Sequence, residues 1–594
     1  MARRDLFTKL NNPSSNIPLR PFDLSQRKLF SARAGMCIPT LALECQKGDK
    51  FRIDTTVFNR TDRLLAPAFF RCKQVNHFFF VPYHTLWHEW DSFYTRSTEK
   101  LSSATLGSSY FPNFCWEEFV YKIVTNPSSV VGNDMLGFDG RPGIDRILQM
   151  LHYGSLDSMD YQQYDAMILA GTAPQHYCNL ARILAYNKIW YWFYRDKRHQ
   201  PSANWFQSFV KNYNVDDVNC STFANSHLDI NTDLLRLIDM FKPKYRTWDS
   251  DLFSNSFAST QFGSISVLNS DNVIIRYNDA SGTVTSQNYQ GVRVGVGGTP
   301  GGNTRLVLRD SSGLIVGDQT YSIPSMFDIL QLRKAEAVQH WRELMLRAGD
   351  SSKNRYRAMF GSNPKRSEEI PNYIGGFDVN LNIDDVTSSS IDFGQGTDGL
   401  GQLAGKGIMV KQNEEINFTS PDFGILMCIT SILPLSEYDG NCIDKGNTLI
   451  EPTDFYIPQF DRLGFEPVTL SERSSKQTLF GQYSWETVLG YTVRNHYLKT
   501  AVDRVYNNFR SGKSEAYWTC VRNPQLLANP ALTYSLQYRD FYVDPVIINP
   551  MFDRNCRKAT YDPDSAYNED QFKCMTYFDI KALRPMSELG LPPL

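Results

Sequence analysis

Between residues 50 and 58 the side chains alternate, with Phe51, Ile53, Thr55 and Val57 on one side and Lys50, Arg52 and Asp54 on the other. A period of two predicts a strand with one face in a core. The same pattern returns near the C-terminus, where Phe572, Cys574, Thr576, Phe578, Ile580 and Ala582 oppose Lys573, Asp579 and Lys581. Residues 69–81 are apolar on both sides around Phe78, Phe79 and Phe80, which predicts an interior strand or a subunit contact. Strand signals dominate again from about residue 375.

The stretches between these strands read differently. Residues 84–250 carry helical spacing, clearest over 180–195 with the cluster Ile189, Trp190, Tyr191, Trp192, Phe193 and Tyr194. Residues 255–320 are dominated by Ser, Asn, Gly, Thr and Val. There Val273, Ile274, Ile275 and Val284 flank a hairpin-type turn at Asn278–Gly282, 291–302 reads as a glycine-rich loop, and Leu306, Val307 and Leu308 resume a strand. This predicts a small β excursion projecting from the body. A helix is predicted over 325–348: Ser325 and Asp328 resemble a capping box, Phe327, Leu330, Val338, Trp341 and Met345 form a stripe, and Gly349 stops it. Residues 1–32 are polar with basic spots and read as an arm. No solenoid-type repeat is present. The organisation expected is therefore an arm over 1–32 and one mainly β domain over 33–594. That domain is an eight-stranded jelly-roll β-barrel whose terminal strands meet, carrying large α/β loop insertions at 84–250 and 255–320.

Composition changes this picture modestly. A chain of 594 residues exceeds what one simple core supports, so either several domains or one core with long insertions is implied. Aromatics reach 13%, with 38 Phe and 31 Tyr, which suits pleated surfaces and interface cores. The net charge is −2, so no global basic field is available for nucleic acid. The eleven cysteines are scattered without a CxxC pair, which predicts reduced thiols in a cytoplasmic product and argues against a zinc ribbon. No apolar run resembles a secretory signal or a membrane span.

Candidate chemistry is sparse. His84 and His88 stand four apart, but the glutamate is at 89, so the zinc-protease spacing is missing and Trp87 and Trp90 suggest packing. Asp562, Asp564, Asn568 and Asp570 imitate part of a calcium loop without its glycine and spaced glutamate; a solvated loop is the ordinary reading, with adventitious calcium at a subunit boundary as the sharper one. Pro300 occupies the place where a dinucleotide site needs glycine, and Gly405-Lys406-Gly407 lacks the rest of a phosphate loop. The pairs Glu368/Glu369 and Asp384/Asp385 are adjacent and polar in context. No nucleophile elbow and no catalytic frame emerge, so neither an enzyme nor a bound cofactor is expected. Arg3, Arg4 and Lys9 with Phe7, then Arg27, Lys28 and Arg33 with Phe30, interleave cations and rings. That mixture holds single strands through phosphate attraction and base stacking, or equally serves an arm docking on a neighbouring subunit.

Several ordered patches resemble the major capsid proteins of microviruses, in particular the gokushovirus branch of single-stranded DNA bacteriophages. They run from Phe22-Asp23-Leu24-Ser25 through Glu44-Cys45-Gln46-Lys47-Gly48-Asp49-Lys50-Phe51, Phe58-Asn59-Arg60-Thr61-Asp62 and Leu65-Ala66-Pro67-Ala68-Phe69 to Phe78-Phe79-Phe80-Val81-Pro82-Tyr83. They continue with Ala185-Tyr186-Asn187-Lys188-Ile189-Trp190, Ser431-Ile432-Leu433-Pro434 and Asp454-Phe455-Tyr456-Ile457-Pro458-Gln459-Phe460. The tail is the most specific: Phe578-Asp579-Ile580-Lys581-Ala582-Leu583-Arg584-Pro585-Met586-Ser587, then Leu589-Gly590-Leu591-Pro592. Cys37, Cys72 and the acidic 562–570 stretch depart from the family pattern. The resemblance implies a jelly-roll subunit of the viral capsid type, assembled as a T=1 icosahedral shell around circular single-stranded DNA. It further implies a virion location after assembly in the bacterial host cytoplasm. The implied partners are further copies of the chain, a DNA-pilot protein, an internal scaffolding protein, a small basic DNA-packaging protein and a host surface receptor. The 255–320 segment falls where the family's three-fold protrusion is expected. The competing class is a carbohydrate-binding or glycosidase β-sandwich, suggested by the aromatics and carboxylates; hydrolysis of glycans separates the two.

Overall fold

The computed structural model describes residues 18–87, 90–95, 111–125, 131–136, 138, 140–158, 160–170, 174, 176–196, 232–257, 260, 293–297, 305–309, 329–348, 352–361, 370–387, 403–461, 464–473, 488–522, 541–552 and 570–586. Ten strands, all paired antiparallel, form two sheets. In chain order they are β1 (Arg20–Asp23), β2 (Gln26–Ala32), β3 (Ile38–Cys45), β4 (Lys50–Thr61), β5 (Cys72–Pro82), β6 (Asn372–Asn380), β7 (Asn382–Thr387), β8 (Leu403–Thr419), β9 (Gly424–Pro434) and β10 (Phe572–Arg584). The terminal sheet has β1 and β2 end to end along one edge of β10, followed by β4, β8 and β7; the second sheet runs β6-β5-β9-β3. Among the described residues no strand pairing joins the sheets, so the barrel expected from sequence is not closed.

The alternating segments behave as their period requires. β4 and β10 bury every second residue, with Phe51, Ile53, Val57, Phe572, Phe578 and Ile580 inward. The apolar run of β5 is explained by coverage on both sides. Phe78 and Phe80 face the terminal sheet and meet Phe578 and Phe418 with ring centroids 6.3 and 5.2 Å apart. Phe79 points the other way and packs 4.6 Å from Phe193. β9, between β5 and β3, is buried at all eleven positions, as a strand covered on both faces must be.

The cover on that second face is helical. It includes α1 (Trp116–Thr125), α2 (Gly140–Met150), α3 (Ala181–Ile189) and α4 (Thr232–Phe241), with α3 against β9. α3 continues into a π-helical turn, Trp190–Tyr194, whose wider winding aims its rings. Several polar groups buried here are paired. The Tyr186 hydroxyl donates to the Cys37 carbonyl (2.9 Å), the Asn187 amide donates to the carbonyls of Ile183 and Met240, and the Trp190 indole donates to the Tyr245 carbonyl (2.9 Å).

Residues 20–32, read from sequence as the end of an arm, are edge strands. Arg20 pairs with Arg584 and Ala32 with Phe572. Backbone pairing to β10 holds them, helped by the half-buried Leu24 and Phe30, so no strong alternation marks them. Just beyond, Gly35 adopts φ +78°, and its N–H and C=O bond to Ile432 and Arg246 (both 2.7 Å).

The described residues of 435–522 form a further insertion, with Tyr438 and Val468 packed on Phe253 in a small core. Its pairings are Phe465–Thr469 with Val488–Val493 and Tyr438–Asp439 with Arg504–Val505.

Residues 259–364 make a second compact unit. It contains the antiparallel pair Arg293–Gly297 and Arg305–Arg309 and the helices α5 (Ile329–Ala348) and α6 (Ser352–Phe360). Part of the predicted glycine-rich loop is thus a strand, because Val294 and Val296 alternate with its glycines. The expected hairpin at 273–284 and the caps Ser325 and Asp328 lie outside the described residues.

A buried charge cluster ties three distant segments together. Asp570, two residues ahead of β10, accepts from Arg146 of α2 (2.5 Å), stands 3.3 Å from the Arg33 guanidinium, and also accepts the Ser31 hydroxyl. Asp570→Ala removes the carboxylate that two buried guanidiniums share. It is expected to cost about 3–5 kcal/mol, seen as a lowered midpoint in denaturant unfolding. Lys581→Ala, at an exposed pair, serves as the near-neutral control.

Candidate nucleic-acid interface and assembly surfaces

The outward face of the terminal sheet is open, and register arranges its side chains in rows across the strands. One row is apolar: Leu29 on β2, Met575 on β10, Phe58 on β4 and Val410 on β8, with Leu29 66% and Val410 50% exposed. Flanking rows carry Lys573 and Arg60 on one side, and Arg27, Tyr577 and Thr56 on the other. The Arg60 guanidinium lies 4.9 Å from the Phe58 ring centroid. Further along come an acidic row, Asp579, Asp54 and Glu415, and a basic one, Lys581 and Arg52. Several cations are already matched within the chain: Lys573 to Asp62 (2.9 Å), Arg52 to Glu415 (2.9 Å) and Lys581 to Asp23 (2.6 Å). Such a face offers rings and cations for weak, sequence-independent contact with a strand, and no strong positive field.

The six residues singled out from sequence do not converge among the described residues. Arg3, Arg4 and Lys9 lie outside them. Arg27 is exposed opposite Tyr577 on the open face. Lys28 turns to the other side of β2, where its Nζ lies 2.7 Å from His152 Nε2; burial and the Arg182 charge lower its pKa. Arg33 is interior, held by Asp570 and 5.2 Å from the Phe138 ring centroid. The open face also carries Arg60, Phe58 and Tyr577, which the sequence reading did not group. Alternation in β4 and β10 already placed them outward, but the cross-strand register that groups them is not local information.

His84 sits 3.4 Å from Asp422, while His88 and residues 562–568 fall outside the described residues. The nine described cysteines are free thiols, and burial pushes Cys37, Cys45 and Cys428 up to about 12. A cavity of about 280 Å³ is lined by Trp192, Trp248, Phe541, Arg195 and Asp196 among others. Asp196 is the carboxylate among its described lining residues.

The decisive comparison is with families. Residues 11–114 and 154–593 match the phage family described as capsid protein (F protein). The chain belongs to that family. It is a microvirus major capsid protein, a structural component of the virion. A search of curated proteins gave no match. No helix among the described residues is long and apolar enough to cross a membrane.

In a capsid protein the outward loops matter as contact surfaces, and the 435–522 insertion of this one has a charged keystone. His496 is buried, its Nδ1 on Glu466 and its Nε2 2.6 Å from Glu472. Burial favours the neutral ring, but the hydrogen bonds and charges of the two carboxylates outweigh it and raise His496 to about 9. Its folded value therefore exceeds the unfolded value of 6.5. The stabilisation is complete below about pH 6.5 and is lost as pH rises through about 9. Thermal unfolding of the capsid protein is expected to show a step down across that window, and His496→Gln to remove the step.

Proposed function

We propose that this capsid protein is an eight-stranded jelly roll of the gokushovirus type that closes into a T=1 icosahedral shell around circular single-stranded DNA. The observation that carries the fold part is strand order. Counting β1/β2 as one run and β6/β7, continuous except at Leu381, as another leaves eight runs. The first then pairs with the eighth, the second with the seventh, the third with the sixth and the fourth with the fifth. That is a long antiparallel hairpin rolled into two sheets, the plan of a double-sheet jelly roll. Closure into a shell follows from heterologous contacts that return on themselves around symmetry axes.

The charge balance bears on partners. At a net charge of −2 the subunit neutralises little phosphate, which favours a small basic packaging protein and cations beside the DNA. A DNA-pilot protein, an internal scaffolding protein and assembly in the bacterial cytoplasm belong to the same reading. No cofactor is needed by it. The 255–320 stretch, much of which falls in the separate 259–364 unit, is assigned to the three-fold protrusion and to host-receptor attachment.

Expression of the full chain, with its scaffolding partner where needed, is expected to yield uniform spherical particles in sizing and electron microscopy. A discrete monomer under all conditions, with no particle in infected cells, overturns the shell. Replacing 259–364 by a short linker is expected to leave the two-sheet unit folded, by circular dichroism and thermal unfolding, while host attachment falls at least tenfold. Loss of folding assigns that segment to the core instead.

A further inference from the structure

The insertion at 435–522 carries a loop that is ordered without being packed. Asp454 organises it: one carboxylate oxygen accepts the N–H groups of Ile450 (3.0 Å) and Glu451 (2.9 Å), while the Asp454 N–H donates to the Glu451 carbonyl (3.0 Å). A helical turn at Lys445–Thr448, capped by Asp444, leads in, and another at Pro458–Phe460 leads out. Its base is pinned by the Ile443 N–H on the Ser471 carbonyl (2.8 Å) and by Asp461, which takes Lys499 (2.8 Å) and Asn495 (3.3 Å).

Every residue from 450 to 456 is nevertheless exposed, including Ile450 at 85%, Phe455 at 53% and Tyr456 at 47%. These three leave on the order of 300 Å² of side-chain surface in water, enough for a recognisable apolar patch. That is roughly a third of the ~800 Å² each partner gives a standard interface. Local hydrogen bonds have already met the ordering cost, which is the arrangement that favours binding. Aromatic anchors on a rigid, desolvatable tip are where interface energy concentrates.

We propose that the 450–456 tip is a principal contact between copies of this chain, seating Ile450, Phe455 and Tyr456 against a neighbouring subunit. The occupant is a second copy because the family assembles its own chain into a shell, and residues 450–456 present Ile450, Phe455 and Tyr456 beside Glu451 and Asp454 with no cation for phosphate. This inference rests on the capsid reading.

The test uses the full chain with Ile450→Asp and Phe455→Ser together, compared with wild type under assembly conditions. The expected result is subunits with unchanged circular dichroism and unfolding midpoint, and a particle yield at least tenfold lower in sedimentation. Asp454→Asn, which loosens the tip without removing its apolar groups, is expected to raise the critical assembly concentration several-fold. Wild-type yield from the double variant overturns the proposal while leaving the capsid reading intact. Normal empty shells that fail to take up another virion component assign the tip to that component and also overturn it. If wild type forms no particles under any condition, the capsid reading fails and takes this inference with it.

Discussion

The structure depends on covering one sheet twice. β9 throughout, and β5 from Phe78 to Val81, are buried toward both sides, so neither can lie against water there on either face. One side is met by the terminal sheet through Phe78 and Phe80, the other by helices through Phe79 and the rings of the 190–194 turn. Had β9 carried the alternation of β10, its sheet could have faced solvent and the helices would have lost that surface to cover. The described helices of 84–250 thus form a third layer of the core. The terminal sheet is free of this demand. Its outward face stays open and polar with a single apolar row.

Double coverage creates interior polar groups, and their pairing decides how the segments lock. Asp570 gathers Arg33 from the end of β2 and Arg146 from α2, so the strand junction, the helical layer and β10 meet at one carboxylate. His496 does the same on a smaller scale, holding the short helical turn of Glu472 to the strand of Glu466. In both places a single charge stands between two of the opposite sign. Such sites are poor sources of net stability, because desolvation offsets most of the attraction. Their effect is to make alternative arrangements costly, since any shift strands a buried charge.

How much of this could be read from sequence follows the same division. β4 and β10 were legible because one face of each is wet, and the period of two survives in the residues. β5 was legible as interior, although nothing local said what covered it. The edge strands β1 and β2 were not, since their place is set by backbone bonds to a strand some 550 residues away. Asp570 read as a solvated acid because Arg33 and Arg146 approach it only in three dimensions. Lys28 and Arg33 do not share the open face with Arg27 for the same reason: adjacency along the chain says little once alternate residues point to opposite faces. Tyr577, Phe58 and Arg60 form a patch through register alone. The conspicuous Asp454–Phe460 stretch was readable as a family patch, but its exposure belongs to the folded loop.

The position of β10 ties folding to assembly. It is the latest of the ten strands in the chain, yet it lies inside the terminal sheet, with β1 and β2 on one edge and β4 on the other. Until it arrives, those strands present unpaired edges and the rings of β5 lack Phe578 beneath them. Exposed edges of this kind invite wrong pairing, and pairings so distant in sequence form slowly. The sheet that makes the wall rigid is thus completed only when nearly the whole chain is present. The Asp570 cluster, two residues ahead of β10, closes in the same step. Contacts between copies that require a rigid wall must follow it, so subunit closure precedes shell growth for a physical reason built into the strand order.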